Sequence, residues 1–219
     1  NGFSIVTGTT PSSYTSYSFG HGLDSAPEFV LWKETENTSN WNSWHTGLSS
    51  SSNLIQLNTT TAEQSGSYYG TINSSIVTQT GSAFSNLNSD FVAYCWHSVD
   101  GYSKIGSYTG NGSATGPTVT CGFRPAFVMI KRIDSSGAWY IFDVNRDPDN
   151  KGQRYIRPNG NNAEGGSGTG TEYIDFQSNG FQIIASGSDF ADGNTSSATY
   201  IYMAFAGGLD TIAPVNTDG

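Results

Sequence analysis

Ala26-Pro27-Glu28-Phe29-Val30-Leu31-Trp32-Lys33 and Arg124-Pro125-Ala126-Phe127-Val128-Met129-Ile130-Lys131 are two versions of one segment, their prolines 98 positions apart. At the same offset Trp41 meets Trp139 and Trp44 meets Phe142. Further out, Gly2-Phe3-Ser4 pairs with Gly101-Tyr102-Ser103, and Ala62-Glu63 with Ala163-Glu164. Each copy closes on an apolar run, Phe91 to Trp96 in the first and Tyr200 to Phe205 in the second. Self-similarity at a fixed spacing is the signature of a repeated structural unit. The chain therefore divides into repeat 1 over 1–99, repeat 2 over 100–207, and a linker or tail over 208–219.

Within a copy the apolar runs are short and bounded by Gly, Pro, Asn and Ser, the pattern of strands separated by tight turns. The second copy predicts strands near 102–108, 117–121, 126–133, 138–143, 154–157, 172–176, 180–185 and 198–206. Phe127 to Ile130 is apolar without alternation, so its strand is central and covered on both faces. Ser178-Asn179-Gly180 reads as a turn feeding the strand after it. Seven or eight such strands make one sandwich. The expected fold is all-β: two tandem jelly-roll or Greek-key-like β-sandwiches related by internal duplication, with one larger sandwich sharing strands as the alternative. Only His97 to Asp100 separate the closing strand of copy one from Gly101, so the copies are tightly joined.

Composition agrees. Of 219 residues 35% are hydrophobic and only 12% charged, with Gly, Ser, Thr and Asn supplying the polarity, which suits strands better than helices. A net charge of −9 disfavours nucleic-acid binding, which needs clustered bases to displace counterions. No apolar run is long enough to insert in a membrane as a helix. Basic residues concentrate between Arg124 and Arg157. The plain reading of that stretch is a solvated face paired with Asp134, Asp143, Asp147 and Asp149. Cys95 and Cys121 read as buried free thiols.

Chemistry-bearing patterns are sparse. The three histidines, His21, His45 and His97, accompany no Gly-x-Ser-x-Gly elbow, and His45 and His97 are replaced by Asp143 and Ala206 in the second copy. Glu63 and Glu164 are copy-matched, which suggests turn capping and not the paired carboxylates of a glycosidase. Asp143, Asp147 and Asp149 crowd one loop and could hold calcium, yet Lys151 and Pro158 stand where an EF-hand needs ligands; Asp189, Asp192 and Asn194 are a weaker set. No other cofactor is expected. Aromatics among Asn and Gly can stack sugar rings, and Tyr68, Tyr69, Trp44 and Tyr108 are the candidates, with the unmatched pair Tyr68-Tyr69 foremost. Trp41 and Trp139, being equivalent, suit a shared core or sheet-face role.

Val99-Asp100-Gly101-Tyr102-Ser103-Lys104-Ile105-Gly106 through Gly116-Pro117, followed by Cys121-Gly122-Phe123-Arg124-Pro125, resembles an uncharacterised repeat domain of structural proteins of tailed phages, especially cyanophages. His21-Gly22-Leu23, Tyr173 to Phe181 and Tyr200 to Phe205 add to the likeness, which spans nearly the whole chain. The resemblance implies a virion component such as a tail fibre or spike, located on the virion or outside the cell. It carries no catalytic signature. The expectation is a non-enzymatic appendage module that displays or spaces a host-recognition surface. Its partners would be other virion subunits or further copies of itself, with host surface glycan as a possible ligand. A free-standing carbohydrate-binding module and a surface-polysaccharide hydrolase are the alternatives. Copy one has Lys33 as its only base against six acids, while copy two holds the other eight Lys and Arg, so Glu34 and Glu36 are expected to face the basic stretch with Arg146, Arg154 and Arg157, on the sister copy or a neighbouring subunit.

Overall fold

The computed structural model describes residues 2–81, 83–147, 152–166, 172–184 and 193–207. Fifteen strands are assigned, and no α-helix occurs among the described residues. In the first half these are β1 (Phe3–Thr9), β2 (Tyr17–Gly20), β3 (Phe29–Glu34), β4 (Asn42–His45), β5 (Ile55–Gln56), β6 (Tyr69–Ile72), β7 (Ile76–Gln79) and β8 (Asp90–Trp96). The second half holds β9 (Ser103–Thr109), β10 (Thr118–Thr120), β11 (Pro125–Arg132), β12 (Trp139–Asp143), β13 (Ile174–Gln177), β14 (Gly180–Ile183) and β15 (Thr199–Ala206). Every strand expected in the second half is present, although the one near 154–157 is reduced to the bridges Ile141↔Ile156 and Tyr155↔Gly165.

Four antiparallel sheets result. The first half has one in the order β1-β8-β3-β4-β5 and one in the order β2-β7-β6; the second has β9-β15-β11-β12 and β10-β14-β13. The orders correspond strand for strand, with the Ile156 bridge beside β12 where β5 lies beside β4. Equivalent residues repeat their contacts. Lys33 and Lys131 each donate to the carbonyl of the next residue. The Trp41 and Trp139 amides each donate to an asparagine side chain, Asn58 at 2.9 Å and Asn159 at 2.7 Å. Gly180 enters β14 at φ 155°; a Cβ there would stand 1.9 Å from the Val119 carbonyl oxygen, so only glycine fits.

Alternation along β11 and β15 explains the layering. Val128 and Ile130 on β11, with Tyr200, Tyr202 and Ala204 on β15, pack against Phe176 and Phe181 of the small sheet of their own half. The intervening Met129, Ile201 and Met203 join a cluster with Phe29, Leu31 and Ile55 of the first half. The four-stranded sheet is thus covered on both faces, as the unbroken run Phe127 to Ile130 requires. The five-stranded sheet is used in the same way: Trp32 and Phe91, 5.6 Å apart, meet Phe19 of β2, while His45 reaches across to the second half. The two large sheets therefore lie face to face, each backed by a three-stranded sheet.

Polar contacts pin this central interface. Trp139 Nε1 donates to Gln56 O at 2.9 Å, Glu63 N to Ile133 O and Gly137 N to Thr60 O at 2.8 Å, and His45 Nε2 lies 3.2 Å from Tyr202 O. Each fully buried aliphatic or Met side chain there contributes about 1.5–3 kcal/mol.

Cys95 and Cys121 are free and buried. Burial pushes their thiols up to about 12 and about 11, so the reactive thiolate is scarce. Iodoacetamide at mildly alkaline pH is expected to leave both unmodified until denaturant is added; labelling of the native chain as fast as the unfolded chain would contradict this.

Candidate functional site

Three of the four aromatic candidates from the sequence are in the core. Trp44 is 7% exposed and its Nε1 donates to Ser51 O at 2.9 Å. Tyr69 is 3% exposed on β6, and burial raises its phenol pKa. Tyr108 stacks on Tyr200 at 4.8 Å and donates to Gly193 O at 2.9 Å. None of these can stack a sugar. Strand alternation turns them inward, which the Asn- and Gly-rich composition of nearby loops does not reveal. Tyr68 is half-buried against the same core.

The acidic loop is committed to arginine. Asp143 takes Arg146 Nε at 2.6 Å, and Glu164 takes Arg146 Nη1 at 3.2 Å and Arg154 Nη1 at 3.7 Å. Asp147 is buried, accepts from the Arg154 amide at 2.7 Å and lies 3.7 Å from Arg154 Nε. Arg157 lies over the rings of Tyr140 and Tyr155 at 5.2 and 5.1 Å. Asp149, Asp189 and Asp192 lie outside the described residues. Asn194 is engaged with Asn111 and Ser113. The paired, partly solvated reading of the basic stretch describes these contacts, and Asp143 and Asp147 are arginine partners where calcium was considered.

The expected meeting of Glu34 with this stretch is corrected by the structure. Glu34 is fully buried, and its carboxylate accepts from the Ser85 amide at 2.7 Å, the Asn86 amide at 3.0 Å and the Asn86 side chain. A carboxylate that satisfies two loop amides inside its own half cannot turn to a partner's arginine. Glu36 accepts from the Asp90 amide at 3.1 Å at the surface. Turn capping, expected of both copy-matched acids, is met by Glu63, which caps the 49–53 turn through Ser49 N at 3.0 Å, Ser49 Oγ and Asn53 Nδ2, while Glu164 pairs with Arg146 and Arg154.

Among the described residues, clefts run between the halves at two places. One has Ser49, Glu63, Asp134 and Thr199 in its wall beside Ala62 and Ile133. Its acids are engaged, Glu63 in the turn and Asp134 with Arg132 Nε at 2.9 Å, which holds the Asp134 carboxyl below the usual range.

The other cleft is aromatic, about 380 Å³ in volume, and lined by Gly2, Phe3, Trp96, Tyr102, Ser103 and Phe205. Its first wall is an aromatic row across four strands: Phe3 on β1 lies 5.0 Å from Trp96 on β8, Trp96 5.5 Å from Phe29 on β3, and Phe29 5.8 Å from His45 on β4. The register Phe3↔Trp96↔Phe29↔His45 puts these side chains on one face. Exposure falls along the row, from 44% at Phe3 to 2% at Phe29 and His45. Tyr94 stacks beside it, 6.1 Å from Trp96. The second wall is Tyr102, 57% exposed and edge-on to Phe205 at 6.0 Å, with Phe127 a further 5.9 Å away. Among the described residues the Tyr94 and Tyr102 hydroxyls have no partner within the chain. Here ring surface and the Tyr102 phenol hydroxyl stand together in an open cleft, a combination that takes a ligand with an apolar face and hydroxyl groups.

The profile of a family described as a domain of unknown function, DUF7483, matches residues 1–208. The chain belongs to that family. Both halves, and the aromatic cleft between them, fall inside the matched span. Comparison with curated proteins and with solved structures gives no match.

None of the cleft residues stood out in the sequence as a binding candidate. Phe91 to Trp96 reads as a buried closing strand, and half of it is. The available signal was the alternation Tyr94, Trp96 against Phe91, Ala93, Cys95, which needs a neighbouring strand without full cover before it exposes anything.

Proposed function

We propose that this chain is a non-enzymatic recognition module of a phage virion appendage, tail fibre- or spike-like, and that the surface it presents to host glycan is the aromatic cleft. The observation carrying this reading is the cleft itself, where Phe3, Trp96, Tyr102 and Phe205 converge from both halves. The virion setting rests on the resemblance of 99–125 and 200–205 to phage structural repeats. In the same reading the halves are tandem jelly-roll or Greek-key-like sandwiches descended from one duplicated unit; their matching sheet orders and repeated Lys and Trp contacts support it. Hydrolysis is disfavoured because Glu63 and Glu164, the acids it would use, serve a turn and two arginines.

A panel of host-surface polysaccharides, screened with and without calcium, tests the proposal. Tyr102→Ala and Phe3→Ala alter exposed side chains, so the fold should survive. Each is expected to weaken binding about tenfold, equivalent to about 1.4 kcal/mol, while Tyr68→Ala leaves it unchanged. Binding that ignores both cleft substitutions, or no binding to any host polysaccharide, would overturn the reading.

A further inference from the structure

The aromatic cleft borders an unusual sheet edge. Strand β1 is the outermost strand of the five-stranded sheet. Gly2 O accepts from His97 N at 3.1 Å and Thr10 N donates to Ser89 O at 2.8 Å. Antiparallel pairing alternates, so Ser4, Val6 and Gly8 also turn their backbone groups toward β8. Phe3, Ile5, Thr7 and Thr9 then point N–H and C=O outward. Among the described residues no backbone hydrogen bond meets those groups. The side chains of the same four residues are exposed, Ile5 by 59%. No residue of β1 is charged.

The equivalent edge in the second half is closed over its first three residues, Ser103 to Ile105. On β9, Ser103 N donates to Val99 O at 2.9 Å, Val99 N to Ser103 O at 3.1 Å, and Ile105 N to Ser98 Oγ at 3.0 Å. Lys104 places a charge on that strand. Beside β12, Ile141 and Ile156 exchange both backbone bonds, and β5 is only two residues long. Natural sheets blunt their edges with shortness, charge or cover; β1 uses none of these.

We infer that β1 is an assembly edge that pairs antiparallel with β1 of a second copy of this chain. Backbone groups spaced as in a strand are met in full only by another strand. The sequence Phe3-Ser4-Ile5-Val6-Thr7-Gly8-Thr9 is compatible with a two-fold axis at Val6. Phe3 then faces Thr9 of the second copy and Ile5 faces Thr7, so every outward donor and acceptor finds a partner. Ile opposite Thr is a favourable β-branched pair, and no like charges meet. The contact is isologous and closes on itself, joining two five-stranded sheets into one of ten. Pairing along one edge buries less surface than a standard permanent interface, so the dimer is reversible and depends on concentration.

Sedimentation across a concentration series, with hydrogen exchange on the same samples, tests this. The wild-type chain is expected to pass from monomer to dimer, with the Ile5, Thr7 and Thr9 amides gaining protection as it does. Thr7→Pro removes an outward donor that β8 does not use, and proline is tolerated at edges; it should give a monomer with unchanged circular dichroism. Should that variant unfold, Ile5→Lys reads the same edge through charge. A wild-type chain that stays monomeric at its solubility limit would overturn the proposal and assign the edge to a different strand. A dimer undiminished in the folded variants, or without protection of these amides, would also overturn it.

Discussion

Trp139→Ala is expected to destabilise the chain by about 3–5 kcal/mol, the range for truncating a buried tryptophan. The indole is 2% exposed, belongs to the cluster shared by both halves, and holds Gln56 O through Nε1. Its loss removes packing from the central interface and leaves a first-half carbonyl without its donor. The damage should therefore reach both halves. Guanidinium unfolding followed by far-ultraviolet circular dichroism should show one transition, moved to lower denaturant. Two separate transitions in the wild-type chain, with only the later-numbered half affected, would contradict a shared core. Trp41→Ala is the control: Trp41 is only partly buried, and its removal should cost clearly less.

Acidification from pH 7 to pH 4 is expected to remove about 3 kcal/mol through His45 alone, from the 1.36 kcal/mol that accompanies each pKa unit. Burial pushes this imidazole down from 6.5 to about 4. Gly47 N donates to its Nδ1 at 2.9 Å, so that nitrogen is an acceptor and Nε2 carries the proton toward Tyr202 O. Between pH 6.5 and 4 the unfolded chain binds a proton at this site that the folded chain refuses, so unfolding stability rises with pH across that window. The contribution is fully present above pH 6.5 and lost as pH falls toward 4. Comparing wild type with His45→Gln isolates it, because all other titrating groups are common to both. Parallel stability–pH curves for the two proteins would show that His45 titrates normally.

The duplicated segment around Pro27 and Pro125 made the strand count and the central position of β11 readable in the sequence itself. Reading failed where tertiary contact decides. Phe127 to Ile130 announces cover on both faces but cannot say that the second cover is the other half's sheet. Trp44, Tyr69 and Tyr108 carry the residue types of a sugar platform, and only strand phase places them inside. Glu34 looked like a surface charge because its partners, the Ser85 and Asn86 amides, lie about fifty positions away in the chain. Conversely Phe3 looked like one more strand residue, and its exposure follows from β1 having no outer neighbour among the described residues.

The joint between the halves has a consequence for the order in which the molecule is made. Ser98 and Val99, which seal the edge of β9, precede that strand in the chain and follow directly from β8. During synthesis the seal leaves the ribosome before the strand it covers. Ser103 and Ile105 then need never wait beside an open edge, because their first partners are only a few residues upstream. Insertions between Trp96 and Ser103 would lengthen the tether and release the seal together, so this short stretch should tolerate added length far less than an ordinary surface loop.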